Sequence, residues 1–378
     1  MDTKDRKRIG LLLENDDIGV IYYLKNIVAT LSFLNDEEKP LIVLFYTKEC
    51  AKHIQIFIYE YLEGYAIEKP SLLNGFFKSK LFNKNLFIRD IEESKKVEAL
   101  FPVNLLPVSK SVIKLVSWIP DFQHKFFPHL FKKHNLLMRD FRFDNIMSNT
   151  STLVLSSEDA YTHYKRFYKV KESLSVKILP FVSLMHEINF PEWSDVKNKY
   201  RIDRRYFLIS NQFYVHKNHK IAIQAIKLLK ERGFDFEIIM TGKTEDYRNK
   251  LFFPQLVKSI EAYNLSNDVR ILGVIPRAEQ LTLLKNSLAV IQPSKFEGWS
   301  TIIEDAKSLY QHVISSNIPV HVEQLGNHGF YFNSDSVEEL ADKMTLFLEN
   351  KVSEPPKYES LEIRASRFAQ QFMSIFDS

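Results

Sequence analysis

Cysteine and glycine are both scarce in this chain of 378 residues. The one cysteine, Cys50, excludes a disulfide bond within the chain and is typical of a reducing compartment. We interpret it as a small buried hydrophobic residue. The chain has ten glycines, and the dinucleotide-binding fingerprint G-x-G-x-x-G is absent. These scarcities argue against a fold stabilised by disulfides and against a dinucleotide-dependent oxidoreductase.

Long apolar runs are missing as well. The N-terminus is charged as far as Arg8, and the apolar run that follows, 9–13, is too short for the core of a signal peptide. No run reaches the roughly 18 apolar residues that span a membrane. We therefore expect a cytoplasmic protein.

Patterns that bind metal ions are also scarce. No Asp-x-Asp sequence occurs, so we do not expect a diphosphate held by a metal ion. His216 and His219 lack a cysteine or carboxylate partner at ligand spacing, and we interpret them as core or loop histidines rather than as a metal pair. The sequence thus predicts neither a metal nor another cofactor.

The composition that remains is that of an ordinary soluble protein. Hydrophobic residues make up 45% and charged residues 26%, and the length suits two domains. The net charge of +4 favours an anionic partner, either a nucleotide or a membrane surface, without identifying which. We expect no nucleic-acid partner.

Strand and helix patterns alternate along the chain. In the first half, 9–13 and 41–45 predict buried strands around a helix over 18–34, and 51–62 predicts a second helix. The alternation stops in the proline-containing stretch 180–198, which we interpret as the domain boundary, and then restarts. Strands that alternate with helices predict parallel α/β sheets.

The stretch 293–307 carries the clearest chemical signal. It follows an apolar run that predicts a strand and leads into a helical pattern that begins at Thr301. Thr301 and Glu304 fit a capping box, which gives Glu304 a structural role. Glu297 has no such explanation, and a carboxylate on a glycine-containing turn after a strand lies where α/β sheets bind ligands.

The start of this helix completes the pattern. Its free N–H groups lie at the positive end of the helix dipole and suit a phosphate. With a carboxylate for hydroxyl groups and amides for a phosphate, the stretch predicts a nucleotide-sugar site. The donor-binding residues predicted on this turn are Gly298, Trp299, Ser300 and Thr301.

This stretch resembles the signature of family 4 glycosyltransferases, which are retaining enzymes of the GT-B fold. That signature has two acids eight positions apart, with glycine directly after the first. Here the first acid is Glu297 and the second is Asp305, which is one methylene shorter than the usual glutamate. The resemblance implies that Glu297 contacts the donor sugar and that Asp305 contacts the ribose hydroxyls.

A second loop, 210–219, resembles the same family. Its members usually place an arginine and a lysine five positions apart here to neutralise the leaving diphosphate. Lys217 holds the lysine position, whereas Gln212 stands at the arginine position, as in a bacterial subset with Ser-Asn-Gln-Phe and Lys-Asn-His. Lys243, directly after a predicted strand and Gly242, is a further candidate for phosphate binding.

The first half offers weaker signals. The run Trp-Ile-Pro-Asp-Phe-Gln-His, which follows a predicted strand over 112–118, is similar to one that bacterial family members carry at the cleft facing the donor. It makes Asp121 and His124 candidate catalytic residues. Asp121 is equally well interpreted as a turn or helix cap, and His124 as part of the hydrogen-bonded framework. Gly19, after the first strand, allows the backbone to approach a ligand.

A basic and aromatic segment follows, over 124–134. Such a segment can rest on an anionic bilayer with its aromatic rings in the interface. It can equally form an amphipathic helix that docks on its own domain. The sequence leaves both interpretations open.

We therefore predict a GT-B protein with two Rossmann-like α/β domains that face each other across a cleft. The acceptor-side domain comprises 1–183 and a C-terminal helix, 358–378, that crosses back to it, and the nucleotide-sugar domain comprises 184–357. The resemblance implies a retaining hexosyltransferase that uses a UDP- or GDP-type sugar and a glycan or lipid-linked hydroxyl acceptor. It also implies bacterial surface polysaccharide or lipopolysaccharide synthesis at the inner face of the membrane.

Two alternatives stay open. A sugar-nucleotide epimerase of the same fold would release free nucleoside diphosphate without an acceptor, whereas a phosphorylase would need pyridoxal phosphate, for which no lysine is indicated. A non-catalytic GT-B scaffold is suggested by the departures at Gln212 and Asp305.

Overall fold

Two separate runs of alternating strands and helices build the molecule. The computed structural model describes residues 5–68, 88, 91, 94, 96–104, 111, 113–185, 188–246 and 248–377. Its contacts divide the chain into a first unit, Met1–Leu184 with Leu361–Ser378, and a second unit, Met185–Ser360. Each unit is built on one parallel sheet. The prediction of two Rossmann-like α/β domains is therefore confirmed.

The first unit is organised around a seven-stranded sheet in the order β3-β2-β1-β4-β5-β6-β7. Its strands are β1 Arg8–Leu13, β2 Leu41–Tyr46, β3 Leu62–Ala66, β4 Ala99–Phe101, β5 Lys114–Ile119, β6 Thr152–Leu155 and β7 Ser175–Ile178. Its described helices before the second unit are α1 Ile18–Thr30, α2 Gln123–Phe126, α3 Lys133–Asn149 and α4 Glu158–Phe167, with 3₁₀ turns at Leu31–Phe33, Asp36–Glu38, Lys48–Ile56 and Pro128–Leu130.

The second unit is organised around a six-stranded sheet in the order β10-β9-β8-β11-β12-β13. Its strands are β8 Tyr206–Ser210, β9 Glu237–Thr241, β10 Val269–Gly273, β11 Val290–Gln292, β12 Val313–Ser316 and β13 Gly329–Phe332. Its described helices are α5 Trp193–Tyr200, α6 His219–Glu231, α7 Phe252–Ala262, α8 Arg277–Lys285, α9 Thr301–Ser308, α10 Pro319–Leu325 and α11 Val337–Leu348, with 3₁₀ turns at Val215–Lys217 and Gly326–His328.

Both sheets reverse their strand order beside the first strand of the unit. In the first unit β1 lies between β2 and β4, and in the second unit β8 lies between β9 and β11. The central strands are apolar on both faces, as expected of a parallel sheet covered on both sides. At such a reversal the loops beyond the carboxyl ends of the strands flank a crevice that binds ligands in α/β folds.

The last helix, α12 Leu361–Ser374, belongs to the first unit. Phe368 and Phe372 are buried in the same core as α1. Beyond the helix, Lys7 Nζ donates to the carbonyl of Phe376 at 2.7 Å. The prediction that the C-terminal helix returns to the N-terminal domain is therefore confirmed. Cys50 is buried, as predicted.

Several local predictions are wrong. Residues 51–62 do not form an α-helix, because the chain makes the 3₁₀ turn Lys48–Ile56 and β3 then pairs with β2 at the sheet edge. The two units divide between Leu184 and Met185, inside the predicted boundary 180–198, but α5 already begins at Trp193 within that stretch. The strand predicted over 112–118 begins at Lys114, and Val112 lies outside the described residues. Within the described part of the chain, no helix is long and apolar enough to cross a membrane.

Candidate functional site

The loops after β8 and β11 are joined by hydrogen bonds at the strand-order reversal of the second unit. The backbone N–H of Lys295 donates to the carbonyl of His216 at 2.8 Å. The Asn218 amide donates to the carbonyls of Pro293 and Ser334 at 3.1 and 2.9 Å. These bonds hold the two loops side by side, although they are about 80 residues apart in the chain.

Lys217 and Glu297 meet between these loops. Lys217 Nζ donates to Glu297 Oε1 at 2.6 Å, and the two side chains are 16% and 9% exposed. Burial of Glu297 favours the neutral carboxyl group, but the charge and hydrogen bond of Lys217, together with the nearby His216 and His321, outweigh burial and hold the pKa of Glu297 below its ordinary value. The site therefore presents a carboxylate and an ammonium group at neutral pH.

Three histidines around this ion pair are buried and uncharged. Burial, with the nearby charge of Lys217, lowers the pKa of His216 and of His219 to about 3. Burial also lowers the pKa of His321 to about 4. His219 stacks on Phe213 with ring centroids 4.4 Å apart. Among the described residues, no group of three His, Cys, Asp or Glu side chains is arranged to hold a metal ion.

The turn after Glu297 leads into α9 as predicted, but its cap differs. The helix begins at Thr301, so Ser300 occupies the N-cap position and the predicted capping box is wrong. Glu304 Oε1 instead accepts hydrogen bonds from Gln324 at 2.9 Å and Lys307 at 3.1 Å. The N–H of Ser300 donates to Gln324, so this amide is already engaged. Phosphate binding by the turn stays a prediction, centred on the amides of its other residues.

Gly298 and Trp299 are half-buried and Thr301 is exposed. Ser300, by contrast, is 3% exposed, and its hydroxyl accepts a hydrogen bond from Gln292 at 2.9 Å. The structure therefore brings these four predicted donor-binding residues next to Glu297, with Ser300 facing inward and the others nearer the surface.

Asp305 is fully buried, which the sequence pattern did not indicate. Its Oδ1 accepts a hydrogen bond from Arg277 at 2.5 Å, and its Oδ2 is buried without a hydrogen-bond partner among the residues that the structure describes. Arg277, at the start of α8, also donates to Gln280 at 3.1 Å. Arg277 is thus a candidate site residue that the sequence analysis missed, and Asp305 is first of all its partner. The predicted ribose contact of Asp305 stays a prediction.

Gln212 and Lys243 are brought together by the loops after β8 and β9. Gln212 Oε1 accepts from the backbone N–H of Lys243 at 2.9 Å, so this amide holds the neighbouring loop. The loops approach so closely that a Cβ on Gly242 would lie 2.1 Å from the carbonyl oxygen of Asn211, and its φ of +136° also requires glycine. The Lys243 side chain is 57% exposed and lies 3.8 Å from the exposed carboxylate of Glu245, so its phosphate binding stays a prediction.

The three candidates in the first unit have local hydrogen-bonding roles. Asp121 accepts from the N–H of Gln123 at 2.9 Å, which corresponds to its interpretation as a cap. His124 is 2% exposed and bonds Asp140 at 2.9 Å. Burial lowers the pKa of His124, although Asp140 opposes the shift. The N–H of Gly19 donates to Asp17 at 2.8 Å at the start of α1. Their roles toward a substrate stay predictions.

Comparison with known proteins locates the site within a recognised domain. Residues 192–367 match the family model described as Glycosyl transferases group 1. No curated protein matches the chain by sequence. This match contains Lys217, Glu297 and Asp305.

Solved structures, two of them described as glycosyltransferases, share the fold over 98% of this chain. A glycosyltransferase from Rickettsia africae has 15% identity, a TM-score of 0.63 and 93% of its own chain covered. HepE from Anabaena, in complex with UDP-glucose, has 14% identity, a TM-score of 0.63 and 95% coverage. WaaG, a glycosyltransferase involved in lipopolysaccharide biosynthesis, has 12% identity, a TM-score of 0.58 and 95% coverage. These likenesses confirm the predicted GT-B fold.

The Arg277–Asp305 pair gives a stability prediction. Replacing Arg277 by Met leaves a buried carboxylate without its cation, so we expect the free energy of unfolding to fall by about 3 kcal/mol. The matched control is Lys227→Met, which removes an exposed pair with Glu231 and is expected to cost less than about 1 kcal/mol. Urea denaturation at neutral pH measures the change in unfolding free energy for both variants. If Arg277→Met cost as little as Lys227→Met, the buried pairing would be contradicted.

The buried His219 gives a pH prediction. As the pH falls below about 6.5, His219 binds a proton in the unfolded chain. In the folded chain His219 stays neutral until about pH 3. Folding stability is therefore lost over this range, by up to about 1.4 kcal/mol per pH unit for this histidine. We expect His219→Phe, which keeps a ring on Phe213, to flatten the dependence of unfolding free energy on pH. Parallel wild-type and variant curves in urea titrations would refute this.

Proposed function

We propose that the protein is a glycosyltransferase that moves a hexose-type sugar from a nucleoside diphosphate sugar to a hydroxyl acceptor. The observation that carries the proposal is the Lys217–Glu297 pair, held at 2.6 Å beside the strand-order reversal of the second unit. A carboxylate there accepts hydrogen bonds from sugar hydroxyls, and an ammonium group attracts phosphate. The match of 192–367 to Glycosyl transferases group 1 supports the same activity.

The chemistry follows from where the charges lie. An ammonium group has three N–H donors, and Lys217 uses one of them on Glu297, so it can also donate to the leaving diphosphate. The amides after Gly298 and the exposed Lys243 add further positive potential. Negative charge develops on the diphosphate as it leaves, and these positive groups are already in place to stabilise it. Each such contact lowers the activation free energy by on the order of 3 kcal/mol.

We further propose the retaining reaction of family 4. The bond between the anomeric carbon and the diphosphate oxygen breaks first and leaves an oxocarbenium-like sugar. The acceptor oxygen then bonds the anomeric carbon from the same face, and its proton passes to the departing diphosphate. No protein nucleophile takes part in this scheme, and the diphosphate charge is met by the protein without a metal ion. Positioning of donor and acceptor supplies the rest of the rate gain.

For the donor we propose a UDP- or GDP-type sugar, and for the acceptor a glycan or a lipid-linked sugar. HepE is described as a complex with UDP-glucose, and WaaG is described as acting in lipopolysaccharide biosynthesis. These neighbours support a role in bacterial surface polysaccharide synthesis. In this scheme Asp305, with Arg277, borders the ribose, and Asp121 and His124 border the acceptor side.

The donor is tested by thermal-shift titration with UDP, GDP, ADP, CMP and dTDP, alone and as their sugars. A ligand at about 100 times its Kd stabilises the folded protein by about 2.7 kcal/mol, so a true donor raises the Tm visibly. We expect Lys217→Ala to reduce the shift from the nucleotide itself. Glu297→Gln should remove mainly the extra shift that the sugar adds.

Other outcomes separate the alternatives. A folded wild-type protein that no nucleotide stabilises would contradict the transferase and favour a non-catalytic scaffold. Release of free nucleoside diphosphate from the donor without any acceptor would favour a sugar-nucleotide epimerase.

We also propose contact with an anionic membrane through one face of α3. The aromatic rings of the predicted basic segment are docked on their own unit: Phe126 packs on Phe167 at 5.3 Å, and Arg139 lies over Phe131. Directly after this segment, three apolar residues of α3 are exposed: Leu137, Met138 and Phe141 are 71%, 58% and 47% exposed.

Charge complementarity indicates the partner of this α3 face. Lys132 and Lys133 are exposed at the start of the helix, one turn before Leu137. Apolar side chains beside lysines suit a bilayer that contains anionic lipids, where each basic residue near the surface contributes about 1 kcal/mol.

Vesicle flotation tests this contact. We expect wild-type protein to bind vesicles that contain phosphatidylglycerol and to bind pure phosphatidylcholine much more weakly. Replacing Leu137, Met138 and Phe141 together by Ser should abolish binding, whereas the control Ile363→Ser, on an exposed site of α12, should not. Unchanged flotation of the triple variant would contradict the α3 face as the contact.

A further inference from the structure

A buried glutamine stands directly behind the Lys217–Glu297 pair. Gln292 is the last residue of β11 and is fully buried. Its Nε2 donates to Glu297 Oε1 at 3.0 Å and to Ser300 Oγ at 2.9 Å. Its Oε1 accepts from Asn211 Nδ2 at 2.5 Å. The side-chain amide of Gln292 thus links Asn211, at the end of β8, to Glu297 and Ser300 in the turn after β11.

The hydrogen-bond partners fix which way this amide points. A carboxylate only accepts, so the nitrogen of Gln292 faces Glu297 and its oxygen accepts from Asn211. The backbone of Asn211 is itself held, because its N–H donates to the carbonyl of Thr241 at 3.0 Å and its carbonyl lies against Gly242. Gln292 thereby connects the carboxylate of Glu297 to the ends of β8 and β9.

The two carboxylate oxygens of Glu297 differ in their hydrogen bonds. Lys217 and Gln292 both donate to Oε1. No residue in the described part of the chain donates to Oε2, and the side chain keeps 9% of its surface exposed. A lysine alone is a flexible point charge, whereas a second donor from the rigid strand end fixes the plane of the carboxylate. Oε2 is thereby left as an acceptor for O–H donors.

A purely structural role explains Gln292 less well. The two residues before it, Val290 and Ile291, are fully buried and apolar, as strand residues usually are. A buried amide costs free energy unless it is hydrogen-bonded, and an apolar residue of similar shape would avoid that cost. Here the hydrogen bonds lead to the carboxylate that the proposed reaction uses.

We propose that Gln292, which is hydrogen-bonded to Asn211, is a positioning residue that fixes Glu297 with Oε2 directed at the hydroxyl groups of the donor sugar. The proposal rests on the proposed function and adds a residue outside the two-acid pattern. It limits the sugar at this point to one with a free hydroxyl group, since a carboxylate accepts hydrogen bonds and donates none.

Calorimetric titration of Gln292→Met with the nucleotide and with its sugar tests the proposal. The quantity of interest is the sugar gain, the ratio of the Kd of the nucleotide to the Kd of the nucleotide sugar. We expect the variant to bind the nucleotide within about threefold of wild type, since Lys217 remains, and to lose about tenfold of the sugar gain, as expected for one charge-assisted hydrogen bond. In a Glu297→Gln background the same change should cause no further loss.

The matched control is Gln311→Met, which changes a buried amide of the same unit that donates to three backbone carbonyls away from the site. It should leave the sugar gain unchanged. A second readout needs no ligand: carboxyl NMR titration should show a higher pKa for Glu297 in Gln292→Met, because a donor to the charged form is gone.

Two results would overturn the positioning role. One is a Gln292→Met protein that keeps the sugar gain and the Glu297 titration of wild type, whatever its loss of stability. The other is a double variant, Gln292→Met with Glu297→Gln, whose loss of sugar gain equals the sum of the losses in the two single variants. A wild-type protein that binds the nucleotide but shows no sugar gain would refute this proposal alone, whereas a wild-type protein that binds no nucleotide would refute the proposed function as well.

Discussion

The contact between Lys217 and Glu297 depends on the strand order of the second unit. Parallel strands place their carboxyl ends at one edge of the sheet, and the order β10-β9-β8-β11 makes the loops after β8 and β11 neighbours. Two oppositely charged side chains from those loops then meet in a largely buried place, where the pKa of Glu297 stays below its ordinary value. The hydrogen bonds of Gln292, Asn218 and Lys295 hold the two loops around this ion pair.

The attraction within a buried ion pair offsets the cost of removing its charges from water more fully when further hydrogen bonds support it. Gln292 supplies a second donor to Glu297, and Gln324 holds both Ser300 and Glu304. His219, kept neutral by burial, adds no competing charge. The site therefore holds one carboxylate and one ammonium group in fixed orientations. Recognition of a sugar and a diphosphate requires charged groups that are fixed in this way.

The sequence predicted the parts of the site that follow from local pattern. Glu297 stood out because its turn followed a buried strand, whereas Lys217 was indicated only by the family resemblance of its loop. The sequence could not predict the partners that reach the site from distant elements. Arg277 lies in an ordinary amphipathic helix, and its pairing with Asp305 depends on how α8 packs on α9. The sequence shows Gln292 only as a polar residue at the end of an apolar strand. Its role becomes visible from its hydrogen bonds to Asn211, Glu297 and Ser300, which come together in the folded structure.

The same limit accounts for the errors in the fold. The helix predicted over 51–62 is replaced by the 3₁₀ turn Lys48–Ile56 and the start of β3, because hydrogen bonding of β3 to β2 outweighs local preference at the sheet edge. The two-domain architecture was predictable since it rests on alternation over many elements, whereas single caps and edge strands depend on one or two contacts.

The most direct measurement is a crystal structure of the protein with the nucleotide sugar that raises its Tm most. We expect the diphosphate within hydrogen-bonding distance of Lys217 Nζ and a sugar hydroxyl within hydrogen-bonding distance of Glu297 Oε2, with Gln292 still on Oε1. A bound ligand that touches neither Lys217 nor Glu297 would contradict the assignment of the donor site to this crevice.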